Sequence, residues 1–336
     1  MNASVAAPVT LQSELPWLAP AQQRLLAAAA RERLPTGLLI HGTTGIGAAW
    51  FARWAAALVL CEQRANAPCG RCQSCLRVEL NQHPDLLWVT PQDDSREIRV
   101  DQVRDLSAEL SLTSHAGGYK LAVLSPAERL NRNAANALLK TLEEPLGRCM
   151  LVLVAAQPGR LPATLRSRCQ RIDLLAPTAS AAENFVRAQG GGADALRLLE
   201  VLGLEPLTVL DIDAGALLAV ADDTNATVRA LMSGGADIVA IAERWAREHY
   251  EWRLRCVENW LTDCVRSASG DGRASAKLGV GAHLPAGRPA LNIRSLFEQL
   301  DGIRELRRLA EAPLNKSLAI ERLLWRMNSN LMQDRR

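Results

Sequence analysis

The stretch His41-Gly42-Thr43-Thr44-Gly45-Ile46-Gly47-Ala48-Ala49 follows the short apolar run Leu38-Leu39-Ile40 and opens a segment of helical period. Its glycines fit the phosphate-loop pattern G-x-x-x-x-G-K-[ST], set between strand and helix, where backbone N–H groups and a helix N-terminus can cradle phosphate. The chemistry of the pattern is missing. Ala48 stands where the lysine that reaches the phosphates belongs, and Ala49 where the hydroxyl that holds Mg²⁺ belongs. A carboxylate pair on another strand could compensate, but Lys120–Leu124 runs into Ser125 and Pro126, with Glu128 already in the turn. Unaided nucleotide hydrolysis is therefore not expected. Two readings of Gly42, Gly45 and Gly47 stay open: a tight turn without ligand, and weak phosphate or nucleotide binding through the backbone.

Working outward, further apolar runs at Leu86–Val89, Leu121–Leu124 and Met150–Ala155 alternate with helical segments at 20–33, 48–60, 100–112 and 133–142. That alternation predicts an α/β fold with a parallel sheet covered on both faces. After Pro177 the chain becomes helical, broken by Gly190–Gly192, Gly234-Gly235 and the Gly/Pro-rich stretch Gly270–Pro289. Apolar stripes at Leu296, Leu300, Ile303 and Leu306, and at Ile320, Leu323, Leu324, Met327 and Leu331, mark the last two helices. Domains are expected at 1–177, 178–222 and 223–336.

A chain of 336 residues, 48% of them apolar, has ample material for two or three cores. Its 39 Lys and Arg against 36 Asp and Glu give no net field strong enough to imply polyanion binding. Residues 1–20 lack the basic and apolar pattern of a secretory signal, and no apolar run approaches membrane-spanning length, so a cytoplasmic location is expected.

In a reducing compartment the eight cysteines are not read as disulfides. Cys61, Cys69, Cys72 and Cys75 have the spacing of a closed four-thiolate Zn²⁺ site, a structural one because no ligand position stays open. An iron–sulfur cluster and bare thiols are the alternatives. Arg160, Arg166, Arg168 and Arg171 form a local basic cluster, whose plainest reading is a solvated helix face.

Several motifs carry a family resemblance: Ser167-Arg168-Cys169, the run Asn136-Ala-Leu-Leu-Lys-Thr-Leu-Glu-Glu-Pro145, His83-Pro84-Asp85 and the cysteine loop 61–75. Together they resemble bacterial DNA polymerase III clamp-loader subunits of the AAA+ family. The missing lysine and carboxylates narrow the resemblance to the delta′ type. Pro16-Trp17-Leu18 and the stretch from Leu314-Asn315-Lys316 to Arg326 extend it over nearly the whole chain, most firmly over 16–175.

The resemblance implies a RecA-like AAA+ parallel-sheet module with a zinc insertion, a small helical lid and an all-helical collar that joins a five-subunit ring. It implies a subunit with no ATPase of its own, assembled with motor subunits (tau/gamma) and the delta subunit, and acting with them on a sliding clamp and primer–template DNA at replication forks. Arg168 would be the arginine finger reaching ATP on the adjacent motor subunit. Ala155 and Ala156 stand where motor subunits usually carry a sensor hydroxyl. Two rival readings are a divergent ATPase using Lys120 or Glu128, and a zinc-containing DNA-binding module using Arg160, Arg166 and Arg171.

Overall fold

A computed structural model of the chain describes residues 9–43, 45–92, 95–115, 117–145, 147–203, 205–233, 235–268, 293–309 and 314–332. Thr44, Gly234, the side chain of Leu331 and the whole of Gly270–Pro289 lie outside the described residues. The chain divides into two compact units, one of Met1–Phe185 with Glu205–Thr208, the other of Val186–Leu204 with Val209–Arg336.

The first unit runs α1 (Ala19–Ala30), β1 (Gly37–His41), α2 (Ala48–Leu60), α3 (Gln73–Glu79), β2 (Leu86–Val89), α4 (Val100–Ser111), β3 (Lys120–Leu124), α5 (Arg132–Glu143), β4 (Cys149–Ala155), α6 (Ala163–Arg166) and β5 (Gln170–Asp173), and leads into α7 (Ala179–Ala188). All strand pairs are parallel, in the spatial order β2-β3-β4-β1-β5. The α/β parallel sheet expected from the sequence is the observed one.

Every residue of β3 and β4 is buried, which is why these strands read as unbroken apolar runs. Leu39, Leu151 and Leu153 pack with Val103 and Leu106 of α4 and Leu138 of α5. Helix α2 is buried almost all round, from Trp50 and Phe51 to Leu60. The sequence placed β1 to β4 and the helices α1, α2, α4 and α5. It missed β5, where only Ile172 of Gln-Arg-Ile-Asp is buried, because an edge strand with one apolar residue has no periodicity to read.

The second unit holds α8 (Ala193–Leu202), the last two residues of α9 (Pro206–Leu210), α10 (Ala214–Ser233), α11 (Ile238–Arg247), α12 (Tyr250–Ala268), α13 (Ile293–Arg308) and α14 (Lys316–Met332). Trp245, Leu254, Val257, Leu261, Leu300, Ile303, Leu324 and Met327 share its core, so both C-terminal apolar stripes face inward. Helix α10 runs unbroken through residue 222, with Leu218, Ala221, Thr224 and Val228 all buried. A buried cation sits here: Arg253 lies 2.5 Å from Asp223 Oδ2, donates to Thr224 Oγ1 at 3.2 Å and stacks 5.5 Å from the Trp245 ring. Among the described residues no helix is long and apolar enough to cross a membrane.

A small polar knot fastens α3 beneath β2. His83 Nδ1 accepts from the Asp85 N–H at 3.1 Å, which leaves its proton on Nε2, 3.2 Å from Ser74 Oγ on α3. Asp85 in turn accepts from His115 N–H and the Ser114 hydroxyl. Burial pushes the His83 imidazole below its ordinary range, the Asp85 charge opposing this. Protonation would cost the Asp85 bond, so the unfolded chain binds that proton more tightly. The resulting stability is whole above about pH 6.5 and declines as pH falls towards the folded-state value. NMR titration of His83 should give a midpoint below about 6.5; a midpoint at or above it would contradict the knot.

Candidate functional site

At the C-terminal end of β1 the chain turns through Gly45 and Gly47, at φ +84° and +102°, before α2 begins. Both are left-handed conformations that glycine adopts without strain. Two carbonyls of this loop are bonded to other parts of the chain. Trp17 Nε1 donates to Ile46 O at 2.8 Å, and Leu207 N–H donates to Gly45 O at 3.1 Å. The segment Glu205–Thr208 lies directly on the loop: a Cβ at Gly45 would fall 2.1 Å from Thr208 Oγ1 and 2.9 Å from Glu205 Cβ. Nothing local in the sequence announces this contact, which joins residues 160 positions apart.

The two residues on which a divergent ATPase would depend are engaged elsewhere. Lys120 is buried, with Nζ donating to Glu109 O at 2.7 Å, and it begins β3, the end of the strand away from the loop. Glu128 Oε1 accepts from the N–H groups of Ala156 and Gln157 at 3.1 and 3.2 Å, so it clamps the turn after β4. Lys120 Nζ and Glu128 Oε1 are thus each occupied by backbone groups, while Glu128 Oε2 is buried without a hydrogen-bond partner among the described residues.

The four arginines do not share a helix face. Arg160 lies in a short turn, Arg166 ends α6, Arg168 follows it, and Arg171 belongs to β5. Arg171 and His41 both engage Asp173, at 2.7 Å each. Partial burial opposes ionisation of Asp173, but these hydrogen bonds outweigh it and hold the carboxyl below its ordinary range. Arg168 is 40% exposed, with Nε 2.6 Å from Glu143 Oε1 and Nη1 donating to Thr164 O at 3.0 Å. Ser167 Oγ also accepts from Thr164's own turn partner, Arg168 Nη1, at 3.4 Å. Beside it Cys169 is half-buried, and burial pushes its thiol up to about 11.

Arg168 stands at the N-terminal end of β1, the opposite end from the loop. A Cβ on Gly37, the first residue of β1, would meet Arg168 O and Cys169 Sγ at 3.1 Å. The loop leaves the far end of β1, five residues on. Strand rise puts about 13 Å between the two ends, beyond the reach of a cation serving its own loop.

The cysteine loop forms a separate centre. Cys61 caps α2, Cys72 caps α3, and the Sγ atoms of Cys61, Cys69, Cys72 and Cys75 all lie within 4.8 Å of one another. Thiolates on one tetrahedral ion at about 2.3 Å sit about 3.8 Å apart; Cys61 and Cys72 are 3.9 Å apart. The set fits a metal ion. Backbone N–H groups point at the sulfurs, from Cys72 to Cys69 and from Cys75 to Cys72. The Arg71 N–H, first among such donors, holds the Cys69 thiol down to about 6, while burial pushes Cys61 and Cys75 up. Cys149, Cys256 and Cys264, without metal spacing, are simply buried.

A family model described as the DNA polymerase III delta subunit matches residues 18–178. DNA polymerase III subunit delta′ of Pseudomonas aeruginosa is 44% identical over 174 residues, 51% of this chain and 53% of that protein. The tau subunit of Escherichia coli is 34% identical over 145 residues, 43% of this chain and 22% of that protein. The chain thus spans about half the length of the Pseudomonas relative. Subunit delta′ of Yersinia pestis is 30% identical over 272 residues, 76% of this chain and 78% of that protein. With likeness of that extent added to the fold, the chain belongs to the family of bacterial DNA polymerase III delta′ subunits.

Proposed function

We propose that this chain is the non-catalytic member of a clamp-loader complex. It assembles with tau/gamma-type motor subunits and a delta subunit, supports ATP-driven loading of a sliding clamp onto primed DNA at the replication fork, and lends Arg168 to a neighbour's ATP. In this reading residues 1–177 are the AAA+ module, 178–222 the lid and 223–336 the collar. The observation that carries it is the position of Arg168: an exposed guanidinium at the end of β1 opposite a glycine loop that has alanines at its lysine and hydroxyl positions and Glu205–Thr208 lying on it.

The chemistry follows from that arrangement. A guanidinium fork facing outward can stabilise charge that develops on a transferred phosphoryl group held by another subunit. In this chain's own loop the contacts from Trp17 and Leu207 favour a fixed backbone over a nucleotide-responsive one. The cysteine centre takes Zn²⁺ in the same reading. Its four thiolates close the coordination sphere, so the ion shapes the loop between α2 and β2 and activates nothing. The DNA-binding module draws no support from the arginines, since Arg166 and Arg171 lie on different elements and Arg171 is paired with Asp173.

Three outcomes are expected. The purified chain turns over no ATP in the presence of Mg²⁺; steady hydrolysis above background would refute the non-catalytic reading. Arg168→Ala leaves assembly with motor and delta subunits intact but lowers ATPase at the adjoining site by roughly 10³-fold, the low end of finger effects in other systems. A rate equal to wild type would exclude the finger. Elemental analysis finds about one zinc per chain, and Cys72→Ser loses it together with the thermal stability of the 61–75 region. Zinc retained in full by the variant would speak against the four-thiolate site.

A further inference from the structure

The candidate finger is held before any partner arrives. Its backbone carbonyl rests against Gly37, where a side chain would press on it at 3.1 Å. Its guanidinium is gripped from two sides, by Glu143 Oε1 at Nε (2.6 Å) and by Thr164 O at Nη1 (3.0 Å). Among the described residues Nη2 has no partner. We infer that Glu143, the last residue of α5, is a positioning residue for Arg168: it fixes the Nε side of the fork so that the Nη2 edge faces a phosphoryl group bound by a neighbouring subunit. The inference rests on the in-trans role proposed above.

Geometry separates a holder from a brake. A carboxylate that silenced the finger would occupy the outer edge, where two parallel N–H groups meet a phosphate. Glu143 instead takes the inner nitrogen; of the outer two, Nη1 is held by Thr164 O and Nη2 stays open to a phosphate oxygen. An arginine fixed in advance loses less rotamer freedom when it engages its target, and a displaced catalytic group can cost as much as 10²-fold in rate. Glu143 and Arg168 are 49% and 40% exposed, and a pair so accessible adds little to folding, so substitution should act on function rather than on stability.

The test uses the clamp-loader complex reconstituted with variants of this chain, with thermal unfolding and assembly measured alongside. Glu143→Ala should lower kcat of the complex's ATPase about tenfold while KM for ATP stays within about twofold. Glu143→Gln keeps an oxygen opposite Nε and should recover most of the rate. In an Arg168→Ala background, Glu143→Ala should add nothing, since the group it positions is gone. A slow Arg168→Ala complex with Glu143→Ala at wild-type rate or faster would overturn the positioning role alone, as would a further loss in the double variant. An Arg168→Ala complex at wild-type rate would bring down the finger reading and Glu143's role with it.

Discussion

The removal of β4 from water on both faces is the constraint on which the rest depends. All seven residues from Cys149 to Ala155 are buried, and β4 pairs with β1 on one side and β3 on the other. A strand so placed requires helices above and below, and α2, α4 and α5 supply them. It also sets the register of β1, through Leu39 opposite Leu153, and with it the height at which the phosphate loop leaves the sheet. The loop, the Glu128 clamp after β4 and the Arg168 edge are therefore all positioned by one apolar segment whose burial tolerates few alternatives.

Around that scaffold the glycine loop and the turn after β4 are both tied down. Alanines replace the lysine and hydroxyl, but the structure also adds bonds: Trp17 to Ile46, Leu207 to Gly45, and Glu128 to Ala156 and Gln157. The first two hold carbonyls of the glycine loop, and the last holds two amides of the turn after β4. A motor needs a loop that reports its occupant. This one is fastened to its own chain, which agrees with the supporting role proposed for it.

The sequence carried the central strands and the large helices because doubly buried runs and amphipathic stripes are local signals. The cysteine quartet was legible for a similar reason, since short spacing alone brings Cys69, Cys72 and Cys75 together. What stayed hidden was long-range or nearly polar: β5 with its single buried Ile172, the helix α3 inside the cysteine loop, and the seat of Glu205–Thr208 on Gly45. The acidic pair Glu143-Glu144 near four arginines was visible, but only folding shows which carboxylate meets Arg168. Lys120 and Glu128 illustrate the converse, residues of suggestive type whose partners turn out to be Glu109 O and two backbone amides.

Gly37 has one more consequence. It begins β1, and the loop departs from that strand's other end, so the backing of Arg168 and the root of the glycine loop belong to a single stretch of extended backbone. Extended backbone hydrogen-bonded on both sides behaves as a strut, with no joint along its length. Whatever displaces one tip must carry the other with it, and a subunit interface built on the Arg168 side inherits the stiffness of the sheet's interior.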